Sequence, residues 1–223
     1  MDISKRLETI ANLSSGKVVA DIGCDHGYVA CLTVKNGAQK AYACDLRKGP
    51  VENAEKTIKA MGLQDKVFAR MQNGIENLPE DVDEVIIAGM GGTLIAAILE
   101  KLDEPQYENV KTLLLSPHKD ASFLRKWLYD HDLCIKEEHW IEDGHFYPIM
   151  KVVREKMEPM SDAELYFGIN VKQSPAYSRM LEKKIQKLQT ILQQMPKEKS
   201  QAIQREYDAA IAAKEKTEIT NTK

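Results

Sequence analysis

The sequence predicts an α/β fold in which an open, mostly parallel sheet of seven strands is followed by a C-terminal helical hairpin. Three observations carry this reading. From residue 18 to about 154, short apolar runs alternate with longer segments of helical period, as in strands joined by crossover helices. Glycines and polar residues punctuate the ends of those runs, where strand-to-helix turns are needed. After Arg154 the pattern changes to the breaker-rich EKMEPMSDAELYFG and then to two long amphipathic stretches.

The strands read, in order, VVADIG, AYACD, KVFAR, EVIIAG, TLLLS, CIKEEHWI and YPIMKVVR. The turn DGHFYP joins the last two as a hairpin, so the final strand is expected to run antiparallel on the sheet edge. Seven strands with the last reversed resemble the class I (Rossmann-like) methyltransferase sheet more than that of a dinucleotide-binding dehydrogenase. In the tail, Tyr177, Leu181, Ile185, Leu188, Leu192 and Met195 form a near-heptad seam that leaves Lys183, Lys184 and Lys187 largely outside it. Pro196 is placed to start a second helix carrying Ile203, Tyr207, Ala210 and Ile211. Across MPKEKS the two helices are expected to fold back as an antiparallel, coiled-coil-like pair. The expected division is a sheet domain over 1–155 and a helical domain over 156–223.

A chain of 223 residues suits one full domain with an appendage, and 43% hydrophobic with 29% charged residues fits a globular protein. The N-terminus scatters its charges, unlike a secretory leader. The longest uncharged run, Val85–Leu99, is short and interrupted by GMGG, so no membrane association is expected. Cys24, Cys31, Cys44 and Cys134 make no CxxC pair, which is the usage of a reduced, cytoplasmic protein. Net charge is −3, but residues 156–223 carry 12 basic against 9 acidic side chains. Any polyanion would therefore find its attraction in the tail half.

Four clusters at successive strand ends point to a ligand site. The first, Asp21-Ile-Gly23-Cys-Asp25-His26-Gly27, departs from the G-x-G-x-x-G that cradles a pyrophosphate. Carboxylates there favour a cationic, phosphate-free adenosine ligand such as S-adenosylmethionine, although other adenosine ligands remain open from this motif alone. Asp45 ends the second strand, 24 residues after Asp21, placed for ribose hydroxyls in either case. Gln72-Asn73-Gly74 follows the third strand and can face adenine. Gly89-Met90-Gly91-Gly92 follows the fourth and permits close backbone approach as a wall between donor and acceptor. A NAD-dependent oxidoreductase competes as the enzyme alternative. A non-catalytic adaptor docking through the C-terminal helices competes outside enzymes.

SKRLETIA at 4–11, DIGCDHGY at 21–28, IIAGMGG at 86–92, LLLSPHKD followed by WLYDH, and the trailing helices together resemble the bacterial TrmK family of tRNA (adenine-22-N1)-methyltransferases. The resemblance implies an S-adenosylmethionine donor, S-adenosylhomocysteine as product, and tRNA as partner. It implies a donor site lined by Asp21, Gly23, Asp25, Gly27, Asp45, Leu46, Gln72, Asn73, Gly74, Gly89, Gly91 and Gly92. Candidates to hold the target adenine are His26, Tyr28, Met90, Ser116 and His118. Lys5, Arg6, Lys183, Lys184 and Lys187 are candidate phosphate contacts. Ser116-Pro117-His118 stands where the family usually has Gln-Pro-Asn. No metal, protein partner or oligomer is expected. Adenine-N6 chemistry would call for an Asn/Asp-Pro-Pro-aromatic motif where this chain has GMGG.

Overall fold

The strand β1 (Val18–Ile22) is a run of apolar residues closed by Asp21 and Ile22, and it pairs in parallel on both sides, with β2 (Lys40–Asp45) and with β4 (Glu84–Ala88). This computed structural model describes residues 3–196 and 200–220. β3 (Val67–Met71) flanks β2, β5 (Thr112–Ser116) flanks β4, and the whole sheet has the order β3-β2-β1-β4-β5-β7-β6. The order reverses direction between β1 and β4, so the carboxyl ends of these strands open a crevice where ligands bind in such sheets.

Period-two alternation sends side chains to two apolar layers. Ala20, Ile22, Val85, Ile87, Leu113 and Leu115 face α4 (Gly92–Leu99) and α5 (Ala121–Asp130). Val19, Ile86 and Leu114 face α1 (Lys5–Leu13), α2 (Tyr28–Lys35) and α3 (Lys48–Ala60) through Ile10, Val29, Ala30, Ala54 and Ile58. Strands covered on both faces explain why β1, β4 and β5 read as continuous apolar runs.

The hairpin of β6 (Cys134–Asp143) and β7 (His145–Val153) turns at Gly144, whose φ is +71°. β7 is antiparallel as expected, but it lies between β5 and β6, and β6 is the edge. Composition explains the correction: Ile149, Met150 and Val152 suit a strand flanked on both sides, whereas Lys136, Glu137 and His139 suit an edge. Pro148, which has no N–H to give, lies beyond the end of the β5 ladder with only β6 alongside.

The short helix α6 (Asp162–Phe167) starts with a capping box of Ser161 and Glu164. α7 (Pro175–Gln194) and α8 (Gln201–Thr220) bury Tyr177, Met180, Leu181, Leu188, Ala209, Ala210 and Ala213 with Phe167 in a cluster of their own, which also packs Trp140 and Phe146. α8 begins at Gln201 rather than at Pro196, and residues 197–199 of the expected MPKEKS connection lie outside the described residues. Among the described residues no helix is long and apolar enough to cross a membrane.

Candidate functional site

The loop after β1 is built from three residues in the left-handed region: Gly23 (φ +77°), Asp25 (+49°) and Gly27 (+69°). Gly23 and Cys24 both donate backbone N–H groups to the carbonyl of Cys44, at 2.7 and 3.0 Å, which ties the loop to the end of β2. Gly27 is the residue that opens α2, so His26 is not its cap. A Cβ on Gly27 would stand 2.9 Å from that of Ala54, so this glycine serves helix packing and does not face the ligand space. The His26 and Tyr28 rings stack at 5.7 Å, and His26 Nε2 lies 3.8 Å from Asp25.

Two adjoining cavities lie along the strand ends. The larger, about 470 Å³, is lined by Asp21, Gly23, Asp25, His26, Tyr28, Asp45, Gly89 and Met90, together with Arg6 and Arg47. The smaller, about 230 Å³, is lined by Gly23, Asp45, Leu46, Gln72, Asn73, Gly74 and Met90, with Leu94 and Ile98. Gly23, Asp45, Arg47 and Met90 belong to both, so one elongated ligand can cross from one to the other. Met90 marks the junction: a Cβ on Gly23 would fall 2.1 Å from the Met90 methyl carbon.

Asp21 gives the larger cavity its chemistry. Its carboxylate is buried with Oδ2 unpartnered. Burial pushes its pKa up to about 7, opposed by the Ala30 amide and reinforced by the nearby Asp45. An orphaned buried acceptor of this kind calls for a donor or cation from a ligand. Asp45, also buried, accepts the Arg47 backbone N–H at 2.9 Å on Oδ1. In the smaller cavity the Gln72 amide nitrogen donates to the Gly74 carbonyl at 2.8 Å, which shapes the turn. Leu46 and Leu94, both more than half exposed, give it apolar lips suited to a flat ring.

Other predicted residues lie elsewhere. Gly91 and Gly92 line neither cavity; Gly92 donates to the Lys119 carbonyl at 2.9 Å, and a Cβ on it would stand 2.3 Å from the Asp120 carbonyl oxygen. Ser116 is buried at the end of β5 with its hydroxyl unpartnered and outside both cavities. His118 is exposed, with Nδ1 3.0 Å from the Gly89 carbonyl, and steadies the loop behind the wall. Lys5 is exposed at the start of α1, and Lys183, Lys184 and Lys187 sit on α7. Arg6 is different from the other candidate phosphate contacts: it is half-buried in the wall of the larger cavity. Sequence reasoning missed Arg47, Leu94 and Ile98. Arg47 directly follows the Asp45-Leu46 pair, and that adjacency was the available signal.

The apolar lips are wide enough apart for a flat ring, the Asp45 carboxylate lies next to them, and Asp21 and Asp25 offer carboxylates to ammonium or sulfonium groups. The residues present therefore suit a phosphate-free cationic donor. Comparison with known proteins agrees. A family described as "TrmK: tRNA (adenine(22)-N(1))-methyltransferase" matches residues 19–216. The tRNA (adenine(22)-N(1))-methyltransferase of Bacillus subtilis (strain 168) is 36% identical over 154 residues, an alignment spanning 67% of this chain and 64% of that relative. The structure of Streptococcus pneumoniae Sp1610 in complex with S-adenosyl-L-methionine superimposes with a TM-score of 0.83 at 33% identity, covering 96% of this chain and 100% of that one. M. capricolum TrmK in complex with S-adenosyl-homocysteine gives 0.82 at 28% identity, covering 96% and 98%.

Proposed function

We propose, from the premise that this chain belongs to the TrmK family of tRNA (adenine(22)-N(1))-methyltransferases, that it transfers a methyl group from S-adenosylmethionine to N1 of adenine 22 in tRNA. The observation that carries the reading is the unpartnered Asp21 carboxylate in a cavity at the reversal of strand order. A diphosphate ligand would meet repulsion from Asp21 and Asp25 there, which disfavours a nicotinamide dinucleotide.

When bound, the donor supplies an electrophilic methyl group on a sulfonium. Asp45 accepts from the ribose hydroxyls, while Leu46, Asn73, Gly74, Leu94 and Ile98 enclose the adenine. Gln72 holds the turn that carries Asn73 and Gly74. Asp21 and Asp25 face the donor's ammonium and sulfonium, and Gly23 and Gly89 keep the wall close. Adenine N1 carries its own lone pair at neutral pH, so the chain needs no general base. His26, Tyr28 and Met90 position the target base, which must leave its stack first at a cost of about a few kcal/mol. Holding both reactants at near-attack geometry is worth up to roughly 7–11 kcal/mol. His118 acts by fixing Gly89 rather than by touching the base.

Residues 1–155 form the catalytic unit and 156–223 the tRNA-contacting unit, with Lys5 and Lys187 as phosphate contacts. The enzyme works in the cytoplasm as a single chain. Incubation with labelled donor and bulk tRNA, followed by nucleoside mass spectrometry, is expected to show 1-methyladenosine. A different methylated nucleoside, or none, would overturn the assignment.

A further inference from the structure

We infer that Phe123 is a stacking platform for a nucleobase flanking the target adenine, with Lys119 beside it as a contact to the phosphate of that strand. The inference rests on the tRNA methylation proposed above and names residues that grip the RNA next to the reacting base.

Strand order decides which side of the crevice the RNA uses. Asp21, Asp45 and the Gln72–Gly74 turn stand at the ends of β1, β2 and β3, so the groups assigned to the donor occupy that half of the sheet. The acceptor is left with the ends of β4 and β5, beyond Gly89 and Met90. The first turn of α5 is fastened at that place. Gly92 donates to the Lys119 carbonyl at 2.9 Å, His118 Nδ1 lies 3.0 Å from the Gly89 carbonyl, and a Cβ on Gly92 would stand 3.1 Å from that of Leu124. Leu124 and Arg125 are fully buried, and Arg125 reaches the Leu165 and Tyr166 carbonyls, so the turn is rigid.

On this turn Phe123 is 48% exposed and is left out of the apolar cluster that buries its neighbour Leu124. A single exposed apolar side chain is ordinary on a surface. The company of this one points to RNA. Lys119, four residues earlier, is exposed and makes no ion pair among the described residues, whereas Lys126 is held by Asp130. The intervening Asp120 carboxylate lies over Gly91, 3.6 Å from where a Cβ there would stand. A free ammonium beside an exposed ring is the pairing that holds an unstacked strand, phosphate on one and base on the other. Such a strand arises in this reaction, because the target adenine leaves its stack and its neighbours each lose a face. A ring waiting next to the cavity replaces that lost face.

The test uses steady-state methylation of an unmodified tRNA transcript, with calorimetry of S-adenosylhomocysteine on the same preparations. Phe123→Ala and Phe123→Leu are expected to raise the KM for tRNA roughly 5- to 100-fold, with kcat, donor affinity and thermal midpoint near wild type. Phe123→Trp should keep the wild-type KM or lower it, since it restores a ring. Across a salt series Phe123→Ala should keep the wild-type log–log slope of tRNA binding, whereas Lys119→Ala should flatten it by roughly one. A wild-type KM in Phe123→Ala would overturn the platform. Leu performing as well as Trp would do the same, by making the contact merely apolar, and so would a fall in kcat or donor affinity without a change in KM. An unchanged slope in Lys119→Ala would remove the phosphate contact. Absence of 1-methyladenosine with the wild-type chain would instead overturn the tRNA reading on which the inference stands.

Discussion

In the proposed donor site, binding should be coupled to a proton at Asp21. In the unfolded chain its carboxyl titrates near 3.8, and burial in the folded chain raises it to about 7. Between those values the folded state holds a proton that the unfolded state has lost, so this group's contribution to stability declines as pH rises from about 4 through about 7. Relative to wild type, Asp21→Asn should therefore be more stable at pH 8 than at pH 4, by thermal unfolding at each pH. A cationic donor prefers the ionised carboxylate. Affinity for S-adenosylhomocysteine, whose ammonium remains, should rise by up to about tenfold per pH unit below 7 and level off above it. In Asp21→Asn that slope should vanish. Asp45 has a separate role: Asp45→Ala is expected to weaken the same ligand about 10–100-fold, with an unchanged thermal midpoint serving as the check that the fold survives. Both aspartates were legible in the sequence because a strand end names its own place in the crevice. Arg6 was not legible as a cavity residue, since its position depends on Asp143 and Tyr147, more than 130 residues away.

Between elements, the loop after β4 and the loop after β5 are strapped together. Gly89 donates to the Ser116 carbonyl at 3.1 Å, His118 to Met90 at 3.0 Å and Gly92 to Lys119 at 2.9 Å. The second and third glycines of GMGG belong to this strap and line neither cavity. A Cβ on Gly92 would press the Asp120 backbone, whereas one on Gly91 would meet side chains alone, the flexible Lys119 stem at 2.9 Å and the Asp120 carboxylate at 3.6 Å. Gly92→Ala should cost about 1–3 kcal/mol and lower the thermal midpoint by several degrees, while Gly91→Ala should cost distinctly less. A second strap joins the sheet to the appendage: Arg125 on α5 and Glu138 on β6 form a fully buried pair with two contacts of 2.9 Å. Arg125 also donates to the Leu165 and Tyr166 carbonyls, and Glu138 accepts the Ile169 N–H. Arg125→Met should destabilise by about 3–5 kcal/mol in denaturant titration, because it strands a buried carboxylate. Neither strap could be read from the sequence. Glycine spacing looks the same whether the near neighbour is a ligand or another loop, and periodicity is silent about which charged residues pair inside. The edge position of β7 failed for a related reason: a hairpin turn gives antiparallel direction, but strand order follows from which strand can bear two neighbours.

Over the whole molecule, the sheet and the paired helices were legible because hydrophobic period records which face is buried, and α7 does bury Tyr177, Leu181 and Leu188 of its predicted seam. Charge is read less well, because a lysine in sequence does not show whether its ammonium is already taken. Lys184 lies 2.6 Å from Glu206 on the facing helix, and Lys183 lies 3.6 Å from Glu142 and over the Phe146 ring at 4.9 Å. Lys187, one turn further along α7, is exposed with no ion pair among the described residues. A phosphate must displace Glu206 to reach Lys184, whereas at Lys187 it displaces only counterions, whose release makes binding steeply salt-dependent. With tRNA binding measured across a salt series, Lys187→Ala should therefore flatten the log–log slope by roughly one. Lys184→Ala should leave the slope nearly unchanged and act on the helix pair instead. Donor affinity should stay at the wild-type value in both variants, since α7 contributes nothing to either cavity along the strand ends. An unchanged slope in Lys187→Ala would remove α7 from the tRNA path.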